Sequence, residues 1–466
     1  MEKRKLSLNS VAAFNILGPI VLNGLSFLTM PLFTRLLGTA NYGCYTTYNS
    51  YLSILSVLIG FQAAGAIAPS SIRYDSAERD RVFSNIMSAA IVSAILIGAV
   101  LLSFAQPIAA FIGLPEHILM VLYFHAVGMF AVNFSTTKFA YDKQSHRTFF
   151  VSVVISVVSI LLSLLLIDTM PKTVAPYESY IFGHALPYTI VGFLLMGYFL
   201  VKGKSFFSRE YWGYVLSLCL PLIFHQLSNS LLHQCDKIML KRFTNDSFVG
   251  IYGFAVTFSS IMNIIWAALN NTFIPFYHDD IKANNDKALY RKTSNYLYLY
   301  TSLTVGFVLA MPEVVKLFGA RDFWKSIELI PILVLGSYGV FLYSFPVNFE
   351  FYHCRTKTIA VGTCCAAFVN VVLNAVLIPL LGMWGAAAAT AVSYIFLWLF
   401  HLFVAKVMIK EDYHFDFRFF YYYFCIVLIT IAVFYFIKDL WLVRWMLFIT
   451  VAVLLLMKTL KQKSLF

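Results

Sequence analysis

The sequence predicts an all-α polytopic membrane protein of about 14 transmembrane helices, and three observations carry that expectation. Only 12% of the 466 residues are charged, half the share of an ordinary soluble domain. The chain is 60% hydrophobic, with a mean hydropathy of +0.78. Apolar runs of about 20 residues recur along it, the length a helix needs to cross a bilayer. Runs this long and continuous exclude an outer-membrane barrel, whose strands are short and alternating.

The net charge of +12 is no sign of nucleic-acid binding. The Lys and Arg residues sit in short loops between apolar runs, where the positive-inside rule places them. The seven cysteines lie mostly inside apolar runs, with no CxxC or His/Cys spacing that suggests a metal, so they read as small packing residues. Met1–Lys5 is basic, but the apolar run behind it continues to about Leu37. That is too long for a signal-peptide core, so it reads as the first span.

In order, the runs fall at 11–37, 44–67, 83–106, 115–137, 148–168, 179–201, 211–235, 248–275, 294–318, 327–351, 358–380, 382–405, 418–437 and 440–457. The longest connections, near 68–82 and 276–293, are too short to hold a domain. With the N-terminus in the cytoplasm, 24 of the 34 Lys and Arg residues fall on the cytoplasmic side and 10 on the other. That split supports the span count and puts both termini inside. Six of the ten outer cations, Lys237, Lys241, Arg242, Lys316, Arg321 and Lys325, cluster at the ends of spans 7 and 9. They run against the insertion bias.

A repeat is visible. Shifted by 207 residues, Arg35, Gly43 and Tyr45 fall on Arg242, Gly250 and Tyr252 without a gap, each set after an apolar run with an early proline, Pro19 or Pro221. The reading is two six-span halves, 7–202 and 208–408, and an additional helix pair at 415–458. Six is even, so both halves start on the same side, a parallel repeat.

Span 7 holds the most polar residues. At 100° per residue, Gln226, Asn229, Ser230, His233 and Lys237 share one side, with His225 and Asp236 at its edge. Such a stripe faces a wet cavity or stitches a helix–helix seam. The cavity is favoured, because seven polar residues exceed what a seam needs. Span 1 has Asn15, Ser26 and Thr29 on one face with Asn23 at its edge, and no acidic residue. Span 8 adds Asn263, Trp266 and Asn270. Tyr45–Tyr51 could face sugar, but an aromatic belt at the interface is the preferred reading. Glu350 ends span 10 as either an interfacial carboxylate or an ion-coupling site. His125 and His184 read as interior histidines, and Asp279–Asp280 as a solvated loop end. No catalytic constellation and no metal site stand out.

Pro31-Leu-Phe-Thr-Arg-Leu-Leu-Gly38 followed by Tyr42-Gly43, then Leu220-Pro221, Asp236–Leu240 and Val249–Tyr252, and finally Leu377–Thr390, form a diffuse but ordered set. By these motifs the chain resembles the Wzx-type polysaccharide (O-antigen) flippases of the MATE-like multidrug/oligosaccharidyl-lipid/polysaccharide exporter superfamily. The resemblance implies two six-helix lobes in a V-shaped arrangement around a central cavity, working by alternating access. It implies an undecaprenyl-diphosphate-linked oligosaccharide repeat unit as cargo, moved from the cytoplasmic to the periplasmic leaflet of the bacterial inner membrane for O-antigen, lipopolysaccharide or capsule assembly. A polysaccharide polymerase and a chain-length regulator are the partners it suggests, with membrane lipid and no nucleic acid. Many such flippases have twelve spans. Lipid II flippases have fourteen, the extra pair helping to form a groove for the lipid tail.

Moving a diphosphate and its hydroxyl-rich glycan through hydrocarbon uncompensated would cost many kcal/mol. Cations offset phosphate charge through charge-assisted hydrogen bonds. The candidates are Lys237, Arg35 and Arg242, with His233 as a helper and Lys241 further out. Asn23, Gln226, Asn229, Asn263 and Asn270 are the candidates to replace water around sugar. Asp236 and Glu350 are candidates for coupling to H⁺ or Na⁺, and no other cofactor is expected. Two alternatives stay open: a cation-coupled multidrug exporter of the same fold, and an integral-membrane polysaccharide polymerase or ligase.

Overall fold

The computed structural model describes residues 8–408 and 417–462, with side chains described for 27–407 and 418–461. Twelve helices among them are long and apolar enough to cross a membrane, or up to thirteen when the bent pair Phe27–Gly60 and Ala63–Arg73 counts as one span. The first two expected spans run together in α1 (Leu8–Gly60). Unbroken, 53 helical residues would reach about 80 Å, more than twice a hydrocarbon core of roughly 30 Å. The helix is interrupted at Gly38, with φ 66° and ψ 177°, a region essentially closed to residues bearing a Cβ. Open space surrounds this glycine, so the dihedrals demand it and not crowding.

The chain divides into two compact units, Met1–Lys241 and Arg242–Phe466. In the first, α1 leads through a 3-10 turn into α2 (Ile67–Arg73), α3 (Ser76–Ser103), α4 (Ala105–Ile112), α5 (Glu116–Tyr141), α6 (Ser145–Thr169), α7 (Pro176–Gly203) and α8 (Arg209–Phe243). Asp75 starts α3 by accepting from the N–H groups of Ala77 and Glu78 at 3.0 and 2.8 Å, which satisfies donors the helix itself cannot. Small residues set the packing. A Cβ on Gly192 of α7 would lie 2.4 Å from Gly128 Cα of α5, and one on Gly183 would lie 2.4 Å from Ser163 Cα of α6. Lipid tails are as apolar as leucine, so helices in a bilayer gain little by burying leucine and pack where backbones can approach. Leu161 and Leu165 of α6 and Leu194 of α7 stay exposed.

The second unit contains α9 (Asp246–Lys282), α10 (Asp286–Phe318), a 3-10 stretch Arg321–Glu328, α11 (Ile330–Tyr352), α12 (Thr356–Leu381), α13 (Met383–Met408), α14 (Phe417–Ile437) and α15 (Trp441–Gln462). Asn245 and Asn285 cap α9 and α10 by accepting from Phe248 and Ala288. Buried along nearly its whole length, α11 forms the centre of this unit. Its Gly336 and Gly339 would each bring a Cβ within 3.3 Å of the α13 backbone. Arg444 ties α15 to α10: its guanidinium, 1% exposed, donates to both Glu313 oxygens at 2.8 and 2.5 Å and to the Leu309 carbonyl at 2.7 Å. Pro312 lies in this turn of α10 and removes one ladder donor there.

Two expectations change. The connections near 68–82 and 276–293 are largely helical, because α9 runs on to Lys282 and α10 begins at Asp286. Asp280 is therefore not a solvated loop end: it is 8% exposed and pairs with Lys292 Nζ at 2.7 Å. The repeat has a structural echo, for the 207-residue shift carries the break at Gly38 onto Asn245, the extended cap between α8 and α9. Gly43 and Gly250 are both buried.

Candidate functional site

A hydrogen bond joins the polar face of α8 to α1 inside the first unit. Lys237 Nζ donates to Gln234 Oε1 at 2.9 Å and to the carbonyl of His233 at 3.2 Å. Ser50 of α1 donates to the same Gln234 oxygen at 3.2 Å. A half-buried ammonium is thus held on an apolar helix by an amide and a carbonyl, with the Asp236 carboxylate beside it in the chain. That carboxylate offsets part of the charge, and what remains attracts an incoming anion. Asp236 is 2% exposed, and its Oδ1 accepts from the backbone N–H of Lys237 at 2.7 Å. The sequence reading missed Gln234 and Ser50. Gln234 could have been found, since a residue three before Lys237 lies on the same helix face.

The other candidates of this unit are spread out. Arg35 and His233 are exposed, while Gln226 and Asn229 are half-buried on α8. Lys241 lies over the turn that ends α4, where a Cβ on Gly113 would come 3.0 Å from its Cε. Among the described residues no hydrogen bond joins Arg35 to Lys237. Asn23 lies outside the residues whose side chains are described.

A cluster of rings fills the space between α1, α5 and α7. Tyr48 and His125, 0% and 1% exposed, hydrogen-bond at 2.9 Å between the hydroxyl and Nδ1. Tyr45 meets Tyr180 at 4.5 Å between centroids, Tyr180 stacks on His184 at 5.8 Å, and Tyr188 lies 5.2 Å from His125. The interfacial belt expected for Tyr45–Tyr51 is therefore wrong for Tyr45 and Tyr48. Three residues apart, they share a helix face that points into the bundle, and a buried phenol needs the partner that His125 supplies.

In the second unit Arg242 is exposed at the end of α8. Along α9, Asn270 accepts from Asn348 at 3.1 Å. Asn263 Oδ1 and Trp266 Nε1 are buried without a hydrogen-bond partner among the described residues. Glu350 is fully buried, so the alternative of an interfacial carboxylate fails. His401 Nδ1 lies 2.6 Å from Glu350 Oε1, and Thr358 donates to the second oxygen. One carboxylate thus joins α11, α12 and α13. His401 could not be paired with Glu350 from sequence, because 51 residues separate them.

The chain is 21% identical over 364 residues to an uncharacterized membrane protein of Haemophilus influenzae, covering 76% of this chain and 86% of that protein. Its fold is similar to that of the lipid II flippase MurJ in an inward closed conformation. There the TM-score is 0.72 at 15% identity, with 97% of this chain and 99% of that one covered. It is also similar to an inward-facing multidrug resistance MATE family transporter of the MOP superfamily, with a TM-score of 0.63 at 14% identity and coverage of 84% and 96%. Residues 11–279, more than half of its length, match the polysaccharide biosynthesis protein family, and the chain belongs to that family.

Proposed function

We propose that this multi-pass membrane protein is a flippase and not an enzyme. In this reading it carries an undecaprenyl-diphosphate-linked oligosaccharide repeat unit from the cytoplasmic to the periplasmic leaflet of the inner membrane, by alternating access, for O-antigen or capsule assembly. Membership of the polysaccharide biosynthesis family and likeness in fold to a lipid II flippase support this reading. The observation that carries the reading is Lys237, a half-buried ammonium held by the Gln234 amide, which Ser50 also engages. A diphosphate entering a low-dielectric space needs such a charge. Coupling to H⁺ or Na⁺ would fall to Glu350 or Asp236.

The test is a deletion strain examined for the sidedness of its lipid-linked repeat units. Accumulation on the cytoplasmic leaflet supports a flippase, while accumulation on the periplasmic leaflet supports a polymerase or ligase. Broad drug resistance on overexpression without any glycan defect supports an exporter. If Lys237→Ala and Arg35→Ala each leave surface polysaccharide at the wild-type level with equal protein, the cationic route is wrong.

A further inference from the structure

A cavity of about 520 Å³ opens at one end of the second unit. Three connections build it: the end of α10 with the 3-10 stretch, the α12–α13 turn and the α14–α15 turn. All three close hairpins at the same end of the bundle. By the distribution of basic residues, this is the end away from the cytoplasm. Its size falls in the small-molecule range of roughly 300–1,000 Å³.

Two indoles line the cavity, Trp324 and Trp384. Trp324 is fixed by donating Nε1–H to the Gly319 carbonyl at 3.3 Å, with Lys316 at 5.6 Å and Arg321 at 5.9 Å from its ring centroid. Lys438 pairs with Glu328 at 2.5 Å, and that carboxylate holds the ammonium above its usual range. The pair is internally neutral. The remaining charged lining is Lys316 and Lys325 against Asp439, with Arg321 beside Trp324. The balance is positive, on a side where insertion disfavours cations. Flat ring faces take the C–H face of a sugar, the ammonium groups take a carboxylate, and Asp439 can accept from hydroxyls.

From this geometry we infer that the cavity binds a carboxylate-bearing sugar of the glycan that the chain moves, on the release side. This deepens the proposed function and rests on it. A glycerol-phosphate lipid headgroup shares the anionic chemistry but has no ring to stack on an indole.

The experiment titrates the purified full-length protein in detergent with a hexuronic-acid disaccharide, a neutral disaccharide of equal size, and glycerol phosphate. Tryptophan fluorescence is the readout. The acidic disaccharide is expected to change the emission saturably, and Lys325→Gln and Lys316→Gln are each expected to weaken it about tenfold, the scale of one charge-assisted hydrogen bond. Both lysines are exposed, so these variants should fold, and unchanged melting verifies it. Trp324→Phe should remove most of the signal. Equal affinity for the neutral sugar, tighter binding of glycerol phosphate, or no saturable response each overturns the inference. A parallel flipping assay in liposomes separates the two readings: a chain that flips lipid-linked glycan yet binds no acidic sugar fails here alone.

Discussion

Replacing His401 with Phe would isolate the cost of the buried carboxylate in the second unit. Glu350 and His401 are both 0% exposed and 2.6 Å apart. The variant leaves Glu350 with only the Thr358 hydroxyl among its described side-chain partners. Removing one member of a buried hydrogen-bonded pair costs about 1–3 kcal/mol when the partners are neutral and about 3–5 when they are charged, whereas replacing both by apolar groups of similar volume is often neutral. For a unit of this size each kcal/mol shifts the midpoint by roughly 2–4 °C, so His401→Phe should lower the apparent melting temperature by on the order of 10 °C. Adding Glu350→Leu to His401→Phe should recover most of that loss. Fluorescence-detected size exclusion after heating, at one heating rate, measures it. A single variant that melts with the wild type, or a double variant no better than the single, refutes the reasoning. The double variant also tests coupling, for wild-type flipping across a pH gradient would remove Glu350 as the coupling group.

Further predictions concern the fold. Arg444→Met removes the guanidinium's bonds to Glu313 and to the Leu309 carbonyl and unfastens α15 from α10; hydrogen exchange should rise in α14 and α15, with a loss of about 1–3 kcal/mol, while α5 is unaffected. Gly192→Leu forces a side chain into the Gly128 backbone and should abolish folded protein in detergent, whereas Gly197→Leu, with open space at its Cβ, should purify normally. Gly38→Ala meets no clash but a forbidden backbone region, and should cost about 1–3 kcal/mol, read from the melting temperature.

The membrane class and most spans were legible in sequence, because a bilayer imposes length and apolarity on every crossing segment independently of its neighbours. The segments Pro31–Gly38 and Leu377–Thr390 were legible too. Gly38 and Gly382 have φ of 66° and 57°, conformations that favour glycine whatever surrounds them. Lys237 stood out because charge is costly in an apolar run. Its hold on Gln234 was within reach of helical spacing; the link to Ser50, 184 residues away, was not.

By itself, then, the sequence determined the class, the succession of crossings and the identity of the conspicuous ionisable groups. These follow from local composition and from 3.6-residue periodicity. Only the tertiary structure decided that Tyr48 turns inward to His125, that Glu350 is buried against His401, and that three separate turns enclose a tryptophan- and lysine-lined cavity. Each depends on which helix lies beside which. In a membrane that is settled by small-residue packing and hydrogen bonding between distant segments, neither of which leaves a periodic trace in the chain.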